Sequence, residues 1–280
     1  MRLSNQQCAA YREKGFVLLP ECFSLEEVEL MRSQLDLVFS EGGPGLVIEK
    51  DGTVIRSVYG SHRTNKVFGQ LVRHPKVLEP AVQLLKSDVY VYQFKINAKR
   101  AFVGDVWEWH QDFIFWRNED GLRSPRILSV AIFLDEVTEF NGPMLLIPGS
   151  HKEGMIDVTA RDTELADHYQ EDGEDLDRRN WISNLTADLK YSLVRDDIAR
   201  LVRRYGIEAP KGPAGSVLFF DGNIAHASSN NISPFDRVVS LVTFNSIENL
   251  PVEVENPRPE FLVSRDFSPV IPIQEGAFFS

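Results

Sequence analysis

The hydrophobic and polar positions change their period partway along the chain, helical near the start and strand-like after about residue 88. Ser4 with Gln7, and Ser24 with Glu27, each set a hydroxyl three positions before a side chain able to return its bond, the capping box that opens a helix. The spacing predicts a helix from there to about Gly15 and another from Leu25 to about Ser40, with the short apolar strand Phe16–Pro20 between them. A third helix is expected over Lys76–Leu85. Residues 41–66 mix Gly, Pro and charge with β-like runs such as Val54–Tyr59. Strands are predicted over Val89–Asn97, Val106–Phe115, Arg126–Leu134, Met144–Ile147, Ser216–Phe220 and Asp236–Asn245.

Between Asp157 and Gly206 the texture turns acidic, an insertion that is either a solvated surface excursion or a lid over a site; its end, Val194–Tyr205, reads as an amphipathic helix. The tail from Pro251 carries five prolines and should run extended. Short strands after a helical start predict a mainly β fold, a jelly-roll core with flanking α-helices, in one domain over residues 1–280.

Composition narrows the partners. Net charge is −11, which argues against nucleic acid, since phosphate binding needs clustered Lys and Arg. No stretch is long and apolar enough for a membrane span, and Met1–Gln7 lacks a signal peptide's apolar core, so a cytoplasmic location is expected. Cys8 and Cys22 are too few for a disulfide framework.

The informative motif is His110-Gln111-Asp112. On a strand, residues i and i+2 share a face, so an imidazole and a carboxylate could meet at one point, and His226 on a second strand could complete a two-histidine, one-carboxylate set that suits non-haem Fe(II). With 6 His and 41 acidic residues, roughly one His-x-acid pair is expected by chance. The other pair, His151-Lys152-Glu153, sits among Pro and Gly and reads as a turn.

Parity places Gln93, Lys95, Asn97 and Lys99 on one face of their strand and Tyr90, Tyr92, Phe94 and Ile96 on the other. That polar face is either solvated or turned toward the metal strand. Ser129 interrupts the apolar run Ile127–Leu134 and bonds either backbone or a ligand. Arg237, eleven residues after His226, heads an apolar strand where a guanidinium needs an anion, from a protein acid or a bound carboxylate. Trp107, Trp109 and Trp116 either fill a core or wall a reactive site.

With Gln93–Lys99, Trp107–Trp116, Glu119-Asp120-Gly121, Leu134–Pro143 and Arg258–Leu262, the chain resembles the iron- and 2-oxoglutarate-dependent dioxygenases of the phytanoyl-CoA dioxygenase superfamily, whose core is a double-stranded β-helix. Within that superfamily it is similar to the ectoine hydroxylases and, more closely, to the bacterial L-proline trans-4-hydroxylases. The ectoine branch usually has Ser at the position of Gln111, and acidic and Thr residues at Ile114 and Phe115. The resemblance implies that His110, Asp112 and His226 hold Fe(II). It implies that Arg237 and Ser228 clamp the distal carboxylate of 2-oxoglutarate, with Lys99, Lys95 and Ser129 as further cosubstrate contacts. Gln93, Trp116 and Trp107 would line the substrate pocket. It implies O2-dependent hydroxylation of a small free amino acid, proline first, with release of succinate and CO2. Ectoine, a natural-product intermediate or an acyl thioester are alternative substrates, and a non-catalytic binding jelly roll is the remaining reading.

Overall fold

In chain order the computed structural model, described over residues 1–49, 52–160, 189–274 and 277–279, has α1 (Asn5–Lys14), β1 (Phe16–Leu19), α2 (Leu25–Arg32), α3 (Leu35–Ser40), β2 (Leu46–Ile48) and β3 (Ile55–Tyr59). It continues with α4 (Lys66–Leu71), α5 (Pro75–Leu85), β4 (Val89–Lys99), β5 (Trp107–His110), α6 (Asp112–Asp120), β6 (Ile127–Phe133) and β7 (Met144–Leu146). After the acidic stretch come α7 (Arg195–Tyr205), β8 (Val217–Asp221), β9 (His226–Ser228) and β10 (Arg237–Ser246). Both capping boxes form, with Ser4 accepting from the Gln7 N–H and Ser24 from the Glu27 N–H. The helix expected over residues 25–40 is broken at Ser33-Gln34, where the Ser33 hydroxyl takes the Leu30 carbonyl, 2.8 Å away, out of a regular turn. Gly15 closes α1 at φ +83°, and the His151 ring lies 2.5 Å from where a Cβ would sit, so only glycine fits.

The strands form two antiparallel sheets, one of seven in the order β1-β8-β6-β10-β4-β3-β2 and one of three in the order β5-β9-β7. The molecule is mainly β. One face of the large sheet, with Phe94, Ile96, Val130, Val242 and Phe244, packs in a core with Met31, Phe68, Leu71, Val77 and Leu78 of the helices. Its other face looks at the small sheet across a cleft bordered by β4, β10, β5, β7 and β9.

Two expectations need correction. The strand expected to continue through Phe115 stops at His110, and Asp112 opens α6 instead. Phe113, Ile114, Phe115 and Trp116 are buried on successive sides of that helix, so no amphipathic period marks it and its aromatic content imitates a strand. On β4 the expected alternation holds from Gln93 to Lys99 but not before. Gln93 pairs with Thr243 while Val91 pairs with Phe244, so Tyr92 is the extra residue of a bulge. Tyr90 and Tyr92 therefore pack with Phe113 and Trp116 rather than with Phe94 and Ile96.

Most of the acidic insertion, residues 161–188, lies outside the described residues, and with it the choice between a surface excursion and a lid. Its end forms α7, with Leu201 buried and Arg200 and Arg204 paired to Glu153. Among the described residues no helix is long and apolar enough to cross a membrane.

Candidate active site

His110 ends β5 and pairs across the ladder with His226, the first residue of β9, which brings their rings to 4.2 Å between centroids. The chain then turns at Gln111, and Asp112 in the first turn of α6 swings back toward both rings. Its carboxylate oxygens lie 3.6 Å from His110 Nε2 and 3.9 Å from His226 Nε2, and the three ligand atoms all fall within 4.8 Å of one another. The convergence foreseen on one strand face is reached across a strand-to-helix turn.

The imidazoles are already oriented for a metal. His110 Nδ1 lies 2.6 Å from the Glu108 carbonyl and His226 Nδ1 3.0 Å from that of Ile224. A carbonyl can only accept, so each Nδ1 carries the proton and each Nε2 lone pair faces Asp112. Burial pushes the His226 pKa down to about 4, with the neighbouring His110 adding to the effect. Burial works against the Asp112 anion, but the charge of His226, which is protonated in the acid range where the carboxyl titrates, and that of Lys95 outweigh it and hold the carboxyl well below its usual range. Two imidazoles that present Nε2 and one carboxylate are a fitting donor set for a ferrous ion.

Three histidines share the depression to about 4, His62, His74 and His226, with burial the main cause in each. Unfolded histidine titrates near 6.5, so between about pH 4 and pH 6.5 the unfolded chain holds more protons and acid favours unfolding. Metal-free protein is expected to lose thermal stability steadily from about pH 7 to pH 5. Scanning calorimetry across that range checks it, and a flat Tm would contradict it.

On one side of the triad the cleft is lined by Asn97, Ser228, Arg237, Val239 and Leu241. Arg237 is buried, its Nη2 donates to the Gly142 carbonyl at 2.5 Å, and its Nε has no partner. Among the described residues no carboxylate pairs with it; Asp135 accepts instead from Arg32 and the Val238 N–H. The Ser228 hydroxyl and Asn97 Oδ1 are likewise buried and unpartnered. A buried guanidinium without an anion beside an unspent hydroxyl is unfavourable by itself and fits a bound carboxylate.

The other expected contacts divide. Lys95 borders the space on both sides of the triad, its ammonium 5.6 Å from the Trp107 ring and 5.9 Å from Tyr59. Lys99 does not border the cleft. Its ammonium donates to the Asp105 carbonyl and, at 2.6 Å, to that of Ser229, and burial lowers its pKa to about 6. Ser129 faces the same side but its hydroxyl is 3.0 Å from that of Thr243, and it borders neither cavity.

Across the triad a second cavity is bordered by Gln93, Trp107, Trp116, Tyr59, Leu189 and Arg258. Gln93 Nε2 donates to the Leu262 carbonyl at 3.0 Å. Trp107 is held by Arg56, whose guanidinium stacks 3.9 Å from its ring and is fixed by Glu49 and the Val106 carbonyl. Arg258 escaped the sequence reading as a site residue. It bonds Asp120 through Nε (2.7 Å) and Nη2 (2.5 Å), and Tyr92 donates to the same carboxylate. Asp120 lies 138 positions from Arg258. A lone Arg in a proline-rich tail carries no local signal of such a partner, and Tyr59 and Leu189 carry none either, whereas the parity of β4 places Asn97 on the polar face.

The family model described as Phytanoyl-CoA dioxygenase matches residues 11–239. The L-proline trans-4-hydroxylase of Streptomyces griseoviridis is 40% identical over 264 residues, 94% of this chain and 93% of that protein. The ectoine dioxygenase of Nocardia farcinica is 35% identical over 95% of this chain and 87% of its own length. Among solved structures, EctD from S. alaskensis with 2-oxoglutarate and 5-hydroxyectoine superposes with a TM-score of 0.80 at 29% identity, covering 99% of this chain and 89% of that one. EctD with bound Fe superposes at 0.78. The match over most of the chain, joined to the convergent His110, Asp112 and His226, shows that this chain belongs to the phytanoyl-CoA dioxygenase family and is an iron- and 2-oxoglutarate-dependent dioxygenase.

Proposed function

We propose that this chain hydroxylates a free cyclic amino acid, L-proline at the trans-4 position first, in a single dioxygenase domain whose two sheets form a double-stranded β-helix. The observation that carries this reading is the pair of buried guanidinium groups on opposite sides of the His110-Asp112-His226 cluster. Arg237 suits the distal carboxylate of 2-oxoglutarate, and Arg258 suits the carboxylate of the substrate.

In this reading His110, Asp112 and His226 hold Fe(II), and the bound iron, 2-oxoglutarate and O2 supply the oxidising power for C–H hydroxylation. The protein's part is placement and exclusion of water. Asp120 and Tyr92 set the plane of Arg258, whose Nη1 makes no hydrogen bond among the described residues. The Gln93 carboxamide, anchored through Nε2 on Leu262, keeps its oxygen for a substrate ammonium. Trp107, Trp116 and Phe115 screen the cavity from solvent. Ser228 and Arg237 hold the cosubstrate, and Lys95 adds positive charge between the two carboxylates. Lys99 and Ser129, spent on internal bonds, act at one remove.

A second reading, the same chemistry on ectoine, is supported by relatives of that name at 31–35% identity. Purified protein loaded anaerobically with Fe(II) and given 2-oxoglutarate and O2 separates the two. Proline is expected to give 4-hydroxyproline and stoichiometric succinate, with pipecolate slower and ectoine near background. Turnover of ectoine alone would replace the proline reading. In the same assay Ser228→Ala is expected to raise the KM for 2-oxoglutarate about tenfold with kcat little changed, the loss of one hydrogen bond to a charged group.

A further inference from the structure

Gln111 stands between two metal-ligand candidates, yet its own side chain points away from the cluster and is 1% exposed. Its carboxamide has two N–H donors and one oxygen, and all are used on backbone. Nε2 donates to the Asn223 carbonyl at 2.5 Å and to the Gly154 carbonyl at 2.9 Å, while Oε1 accepts from the Ile156 N–H at 2.7 Å. On the far side of Asp112, the Phe113 N–H donates to the Gly222 carbonyl at 2.9 Å. The residues before and after Asp112 are thus both bonded to the turn Gly222-Asn223. That turn leads directly into Ile224, whose carbonyl orients His226, and into His226 itself. The approach is close: a Cβ on Gly222 would lie 2.9 Å from the Trp116 ring. Asp112 and His226 are 114 positions apart and share no ladder of their own, so beside the His110–His226 pairing these two bonds are what sets one against the other.

We infer that Gln111 is a positioning residue. It locks the Asp112 turn to the His226 turn, and it hangs Gly154 and Ile156, just before the acidic insertion, on the same point. The inference rests on His110, Asp112 and His226 being the metal ligands. No other common side chain of this length offers two donors and an acceptor in one plane, and methionine keeps the shape while offering none. Partners that orient metal ligands typically change metal affinity by about 10–100-fold when removed.

The test titrates metal-free protein with Co(II), reading affinity by calorimetry and coordination by the visible d–d spectrum. Gln111→Met is expected to bind Co(II) about 10–100-fold more weakly with an altered spectrum. Leu71→Ala, a core variant remote from the cluster, supplies a control with lowered Tm. It should keep wild-type affinity and spectrum. Gln111→Asn, one methylene shorter, is the second variant if the methionine form does not fold, and should fall in the same range. Wild-type affinity and spectrum in a folded Gln111 variant, or an equal loss in Leu71→Ala, would overturn the inference. Wild-type protein that fails to bind Co(II) or Fe(II) removes the metal reading and the inference with it, a result distinct from an indifferent Gln111.

Discussion

Asp112→Ala is expected to lower turnover on the order of 10³-fold, about 4 kcal/mol of transition-state stabilisation, and to strip the protein of iron. The carboxylate is the cluster's anion and faces both imidazoles, at 3.6 and 3.9 Å. Its removal leaves two histidines, each already spending Nδ1 on a backbone carbonyl that fixes its ring. Folding should survive, because Asp112 begins α6 at a turn where its neighbours hold the backbone through Gln111 and Phe113. Iron content by elemental analysis and succinate release without amino acid measure the two parts of the prediction separately. An alanine variant that keeps its metal and stays within about tenfold of wild-type turnover would show that the ion sits elsewhere.

The second large effect is expected at Arg258. Arg258→Met leaves Asp120 buried and uncompensated, which typically costs about 3–5 kcal/mol. For a chain of this size that is a fall in Tm of roughly 10 °C. Burial disfavours the Arg258 charge, but Asp120 holds its pKa above the ordinary range, so the guanidinium stays charged. Burial also keeps Tyr92 well above its usual value, so it remains a donor to Asp120. Replacing the whole network, Arg258→Met with Asp120→Leu and Tyr92→Phe, exchanges three buried polar groups for apolar ones and is expected to recover most of the stability. It should not recover activity. The KM for the amino acid is expected to stay raised by about 100-fold in both variants, the loss of a charged hydrogen bond to the substrate. Calorimetry and steady-state kinetics on the single and triple variants decide it: a triple variant with normal KM would take Arg258 out of substrate binding.

Gln111 and Arg258 mark where local reading ends. His110 and Asp112 declare themselves by type and spacing, whereas the meaning of the residue between them depends on carbonyls of Gly154 and Asn223 that no spacing rule reaches. Ser129 and Lys99 show the converse. Both are polar residues on the correct face of the correct strands, and both are consumed, one by Thr243 across the ladder and the other by two carbonyls. Side-chain type and parity state what a group is able to do, not whether a neighbour has already taken it.

By itself the sequence determined the features whose causes lie within a few residues: the capped helices after Ser4 and Ser24, the apolar strands, the polar face from Gln93 to Lys99, and the ligand types of His110, Asp112 and His226. The tertiary structure decided that Asp112 begins a buried helix, that Tyr92 bulges out of β4, and which cations stay without an anion. Burial and strand register settle those, because a polar group's partner comes from whatever distant segment the fold brings against it, as Asp120 comes to Arg258 and leaves Arg237 open.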